Sequence, residues 1–348
     1  LFAGLPESWE CEGFDRTHLR LPAGQEALIE AVCRENPRTV VILLSGGALE
    51  LPWADRPGAI LLAHLGGEAV GTAVAKLLLG DLSPSGKLAE TFPLSLADTP
   101  PAGCYPARHV AQHRESLYVG YRYYDAAGKA VRYPFGHGLS YARFAYSGLS
   151  VQRAGEQLVV RCRIENVGSM TAAETVQLYL APPRKVAFAP PQILTGFARR
   201  TLAPGEAAEI TFTLTRRDVS YYSPAGKCWK VEGGVYELRL GASSRDIRLR
   251  AAIEWPGDDV CPADAANWAA CPHYAKVDGV FPKEEFERLL GWAVPCYRPP
   301  QKGEYTLNTM PEELASCRAG SALLCGIRCF LRWRCRRDVR REARAWAL

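Results

Sequence analysis

The sequence predicts two successive domains of different class: an incomplete α/β sandwich, then an all-β sandwich, with a partly helical tail behind them. Three observations carry this. The runs "TVVILLSGG" and "AILLAHL" are continuously apolar, stop at glycine, and alternate with helical segments. Strands buried on both faces of a parallel sheet look like this. From about residue 145 the apolar positions switch to a period of two. Beyond about residue 254 neither pattern persists.

The first domain is expected over residues 1–95. Leu1 falls in what reads as a loop, with no signal peptide visible. Residues 23–35 form a helix, with Leu28 stacked on Val32 and Ile29 on Cys33 at i, i+4, and Pro37 ends it. The two apolar strands follow, then a Gly66-Gly67 turn and a helix over 68–79. Two strands make a poor parallel sheet, so further strands are expected upstream. Residues 96–144 are rich in Pro, Gly and Tyr. They read as an ordered crossover lying on a domain surface, because that many aromatic rings require burial.

Residues 145–253 hold "QLVVRCRIENVG", "ETVQLYLAP", "EITFTLT" and "GVYELRLGAS", separated by turns such as Ala203-Pro204-Gly205-Glu206. This is the pattern of an immunoglobulin-like sandwich. Its expected core is Val160, Cys162, Ile164, Leu178, Tyr179, Ile210, Phe212, Leu214, Tyr236, Leu238 and Leu240. The extension over 254–348 contains one clear short helix, "FPKEEFERLLGW", and ends in an Arg-rich helical stretch.

Composition narrows the function. The chain has 348 residues, 48% hydrophobic and 23% charged, an ordinary globular balance. Residues 331–348 carry seven Arg against Asp338 and Glu342, which accounts for the net charge of +5. The remainder is near neutral and gives no case for nucleic-acid binding. No apolar run reaches the roughly 18–20 residues of a spanning helix. Twelve Cys are scattered without the spacing of a disulfide framework, which points to a reducing, cytoplasmic setting.

Four stretches in order carry a resemblance: "EGFDRTHLRLP", "NPRTVVILLSGGALELPW", "LLLGDLSPSGKLAETFP" and "YVGYRYYDAAGKAVRYPFGHGLSYARFAYSGL". Together they resemble glycoside hydrolase family 3, the β-glucosidase-like exo-glycosidases, over roughly residues 5–253. The resemblance implies the family's second domain, an α/β sandwich, followed by its fibronectin type III-like domain. It also implies a β/α barrel, supplying the nucleophilic Asp, that nothing in this chain resembles. The Glu of the E-G-F-D-R loop, Glu12, is then the general acid/base, and no cofactor or metal is implied. Expected partners are a glycoside or oligosaccharide substrate, that barrel and, in some arrangements, a second copy. Two positions depart from the family pattern: His64 stands where an aromatic residue is usual and Ala69 where a Glu is. The tail from residue 256 resembles extensions of some bacterial members.

The residues support that chemistry. Glycoside hydrolysis takes two carboxyl groups, one ionised and one holding a proton for the leaving oxygen. Glu12 suits the proton donor, with Gly13 allowing a close backbone bend and Trp9 and Phe14 as apolar walls that also touch substrate. Asp15-Arg16 reads as an anchor for the loop's exit, and Glu10 is the alternative carboxylate. "PSGKL" lacks the glycine and interval of a phosphate loop, so it reads as a turn with Lys87 on its rim. His137, between Gly136 and Gly138, reads as part of a sharp turn more than as a ligand. Ser45 lacks the flanking glycine of a nucleophile elbow. Cys325, Cys329 and Cys335 lack a zinc-binding pattern and read as one helix face. A reading from another class stays open: a non-catalytic scaffold that binds a carbohydrate or a protein partner.

Overall fold

The computed structural model describes residues 1–12, 16–100, 110–298, 300–301, 304–306 and 309–345, with backbone only at 311, 312, 316 and 338–345. Two compact units divide the chain: Leu1–Pro106 with Ala111–Trp292, and Ala107–Val110 with Ala293–Leu348.

The first unit begins with strand β1 (Phe2–Gly4), helix α1 (Ala23–Glu35), strands β2 (Val40–Leu44) and β3 (Ala59–Leu62), and helix α2 (Val70–Leu79). The strands pair in parallel in the order β1-β2-β3. Leu1 therefore leads straight into a strand where the sequence read as loop; three residues are too few to show a period. Gln25 of α1 clamps the end of β1, accepting from the Gly4 N–H at 2.8 Å and donating to the Gly4 carbonyl at 2.9 Å. Only one of the two expected α1 stripes is buried: Ile29 and Cys33 face the core, while Leu28 is half exposed. Around them pack Leu21, Val41, Leu43, Leu49, Leu51, Trp53 and Phe92. Each such large apolar side chain contributes roughly 1.5–3 kcal/mol of burial. Phe2, Leu65, Leu78, Leu79 and Leu82 of this part are exposed.

The crossover is ordered where described. Strand β4 (Phe92–Pro93) pairs antiparallel with β5 (Val131–Tyr133), and helix α3 (Tyr121–Ala126) lies between them. "PSGKL" joins the α/β part to the sandwich. Lys87 is not on a rim: its Nζ lies 3.0 Å from Glu174 and 2.9 Å from the Gly138 carbonyl, with little solvent access on either side chain of the pair. Gly138 is needed for close approach, since a Cβ there would sit 2.1 Å from the Gly86 carbonyl oxygen.

The sandwich comprises β6 (Phe144–Ala154), β7 (Gln157–Asn166), β8 (Ala172–Ala181), β9 (Ile193–Leu202), β10 (Ala207–Leu214), β11 (Ser220–Ser223), β12 (Cys228–Val231), β13 (Gly234–Gly241) and β14 (Ile247–Trp255). A three-stranded sheet, β10-β7-β6, faces a four-stranded one, β14-β13-β8-β9, and β11-β12 forms a separate hairpin. All the expected core residues are buried, and all but Tyr179 lie between the sheets. Tyr179 points the other way and meets Tyr121 edge-on at 5.9 Å. The crossover covers that outer face, so β8 is buried on both sides and Gln177, on the same side as Tyr179, is buried too; Glu174, on the side of Val176 and Leu178, is buried against Lys87. Gln177 compensates by donating to the carbonyls of Gly136 and Ala242.

Helices α4 (Pro262–Ala270), α5 (Pro272–Ala275) and α6 (Lys283–Leu290) follow. Cys271, Tyr274, Val277 and Phe281 from this segment bury Tyr118, Tyr123 and Tyr124 of the crossover. The Tyr118 hydroxyl donates to the Tyr274 carbonyl at 2.6 Å. In the second unit a 3-10 turn, Pro311–Ser316, leads into helix α7 (Arg318–Ala345). No helix among the described residues is long and apolar enough to cross a membrane.

Candidate functional site

The loop between β1 and α1 crosses the carboxyl ends of the parallel strands, the usual position for chemistry in an open α/β sheet. Three ties hold it there. The Gly46 N–H donates to the Glu10 carboxylate at 2.7 Å, Arg16 reaches the Ala48 carbonyl at 3.5 Å, and the Glu50 N–H donates to the Leu19 carbonyl at 2.9 Å. All three partners lie on the segment leaving β2. A turn at the loop's start, with the Trp9 N–H on the Pro6 carbonyl at 2.8 Å, sets its direction. At its end Arg20 pairs with the buried Glu26 of α1.

Glu12 lies in a turn between the Glu10 and Arg16 ties and is exposed. Glu10, the alternative carboxylate, is engaged with the Gly46 N–H. Trp9 packs edge-on against His18 with ring centroids 5.4 Å apart. Gly13, Phe14 and Asp15 lie outside the described residues, so the Phe14 wall and the Asp15 anchor have no structural account; Arg16 does hold the exit. Sequence reasoning missed Gly46. Its neighbour Ser45 drew the attention, yet Ser45 is buried with its hydroxyl turned to the Gly47 carbonyl at 2.6 Å. The useful signal was the bare glycine, whose backbone N–H is open to a carboxylate.

Of the other candidates, His64 adjoins Leu65, whose side chain lies beside Gly46 and the Glu10 carboxylate. His137 stacks on Tyr133 at 5.1 Å and its carbonyl accepts the Leu88 N–H. Burial first, and the Lys87 ammonium second, push its pKa below the usual imidazole value. His64 is exposed with a left-handed backbone, φ 50°, and Ala69 is exposed beside α2. Cys325, Cys329 and Cys335 are all exposed on α7. Among the described residues no group of three or more His, Cys, Asp or Glu is arranged to hold a metal ion.

The glycosyl hydrolase family 3 C-terminal domain matches residues 1–141, and a fibronectin type III-like domain matches residues 174–244. The chain is 44% identical over 258 residues to thermostable beta-glucosidase B of Acetivibrio thermocellus, covering 73% of this chain and 34% of that protein. It is 40% identical over 286 residues to an exo-alpha-(1->6)-L-arabinopyranosidase of Bifidobacterium longum, covering 80% of this chain and 38% of that protein. The crystal structure of a Bifidobacterium adolescentis GH3 beta-glucosidase superposes with a TM-score of 0.72 at 37% identity, over 93% of this chain and 42% of that one. The chain thus spans about a third of the length of these curated relatives.

Proposed function

The chain belongs to glycoside hydrolase family 3 through its C-terminal and fibronectin type III-like domains, and on that premise we propose that it supplies the general acid/base of a retaining, exo-acting, β-glucosidase-like enzyme. Glu12 is that group. The observation that carries the reading is the Glu12 loop itself, tied on both sides of an exposed carboxyl at the carboxyl ends of parallel strands. A scaffold has no need to hold an acid in this way.

Retaining hydrolysis takes a second carboxyl group about 5–5.5 Å from the first. In this reading a β/α barrel of the same protein presents it, as an Asp nucleophile, and supplies the apolar enclosure that a proton donor needs. The exposed Leu65, Leu78, Leu79 and Leu82 are large apolar side chains that such a partner would cover. Glu12 would protonate the leaving oxygen, then take a proton from the water that releases the sugar. The substrate is an oligosaccharide or simple glycoside.

The test is Glu12→Ala in the complete enzyme. General acid–base catalysis is worth about 10²–10⁴-fold, so substrates with poor leaving groups should slow by that much. Substrates whose leaving group needs no proton should keep a faster first step and accumulate a glycosyl-enzyme. Azide should then speed its breakdown, because a small anion attacks without base assistance. Wild-type rates in Glu12→Ala would end the proposal.

A further inference from the structure

A second site lies on the outer face of the four-stranded sheet, away from the Glu12 loop. A cavity of about 440 Å³ opens there, walled by Asp125, Lys129, Gln192, Arg239, Arg245 and Arg250 among others. That volume lies within the range of small-molecule sites. Its charged side chains are predominantly cationic, and Tyr124, Pro191 and Ile247 add apolar wall.

The charges are arranged in an unusual way. Arg239 and Arg250 stand directly opposite each other in the β13–β14 ladder. Like charges in that relation destabilise a strand pair. Glu237 serves both, one carboxylate oxygen holding Arg250 at 2.8 Å and the other holding Arg239 at 2.7 Å. Arg245 is paired with Asp125 at 3.0 Å, and Lys129 with Asp98 at 3.3 Å. One carboxylate for two guanidinium groups leaves a positive charge over. The groups are also oriented in advance. Gln192 is buried and receives Arg239 at 3.1 Å while donating to Asp125 at 3.1 Å, and the Lys129 carbonyl receives Arg245 at 2.9 Å. A guanidinium has five N–H donors. The bonds above use one of them on Arg250 and two on Arg245.

We infer that this cavity binds a small oxyanion carried on a hydroxylated body, the class of sugar phosphates and sugar acids. Planar guanidinium forks match phosphate and carboxylate oxygens two at a time. The Asp125 carboxylate, which accepts one bond at each oxygen, keeps lone pairs for a hydroxyl group on the same ligand. The site is independent of the catalytic reading above, because none of its residues belongs to the Glu12 loop.

The experiment is calorimetric titration of the purified protein with inorganic phosphate, glucose 6-phosphate, glucuronate and glucose, against sodium chloride at matched ionic strength. The two charged sugars should bind at one site and glucose should not. Binding by inorganic phosphate as tightly as by either sugar would reduce the site to an adventitious anion hole and overturn the inference. A hydrogen bond to a charged group corresponds to about 10–100-fold in affinity, so Arg250→Gln should weaken binding by that order. Arg250 is half exposed, and its replacement should leave the fold intact. Glu237→Gln should do the opposite and tighten binding, since a neutral amide no longer offsets the charge of the two guanidinium groups. A merely structural ion-pair cluster would not give opposite signs. Absence of saturable binding, or equal weakening by both variants, would overturn the inference.

Discussion

Lys87→Met removes the ammonium that joins the α/β part to the sandwich. The Lys87 side chain is 14% exposed and that of Glu174 6%, so neither partner has much water to fall back on. Losing one member of a buried pair leaves the other charge uncompensated and costs about 3–5 kcal/mol. The Gly138 carbonyl loses a donor in the same step. Glu174 keeps only its bond from the Thr175 N–H at 2.8 Å. For a unit of this size about 1 kcal/mol moves the melting midpoint by roughly 2 °C. Lys87→Met should therefore melt about 6–10 °C lower in calorimetry. The second half of the argument is the double variant, Lys87→Met with Glu174→Gln. The neutral amide still accepts the Thr175 N–H and leaves no orphaned charge, so the pair together should recover most of the loss. A Lys87→Met variant within about 1 kcal/mol of the parent, or a double variant as unstable as the two singles added, would show that the ion pair is screened and the reasoning wrong.

Glu10→Ala in the complete enzyme should lower kcat/KM by only about three- to tenfold, or roughly 0.7–1.4 kcal/mol, because it loosens the loop through an exposed Gly46 N–H; no azide rescue should appear in steady-state kinetics, in contrast to Glu12→Ala. The two perturbed histidines should give opposite pH trends. His273 is raised by its hydrogen bond to Glu285, so its stabilisation is fully present below the unfolded value near 6.5 and disappears as pH rises through the folded pKa. His137 is lowered by burial, so its stabilisation is present above that value and disappears as pH falls. Denaturant midpoints from about pH 5 to 8 should lose the alkaline-side decline in His273→Gln and the acid-side decline in His137→Gln. Gly138→Ala should cost at least about 1–3 kcal/mol by overpacking against the Gly86 carbonyl, while Gly86→Ala, which meets nothing, should be neutral in the same thermal melts.

What the sequence revealed depended on which side of an element was covered. Strand β2 was legible because a buried parallel strand is apolar throughout; β3 carries the same apolar run, yet it lies at the sheet's edge and is only partly covered, contrary to the burial on both faces expected for it. The sandwich was legible because most of its strands face water on one side and alternate. β8 broke that rule: the crossover lies on its outer face, so Gln177 is buried and Tyr179 packs on the side opposite the inter-sheet core. Nothing within nine or ten residues of β8 announces a distant segment packing over it. The same blindness put Lys87 on a rim. A lysine beside Gly and Ser looks solvated until its acid, Glu174, is brought up from far along the chain.

The Glu12 loop divides the same way. Glu12 is singled out by the resemblance of its E-G-F-D-R motif, with which its flanking residue types are compatible. Its restraint was not legible, because two of the three ties end on backbone groups of the β2 exit, the Gly46 N–H and the Ala48 carbonyl, and the third runs between backbone atoms. Backbone donors and acceptors are the same at every residue and leave no trace in composition. This also explains why Glu10 and Glu12 were hard to separate as letters. Two glutamates two residues apart are chemically equivalent until the fold engages one of them with the Gly46 N–H and leaves the other exposed, the difference on which the proposal for Glu12 rests.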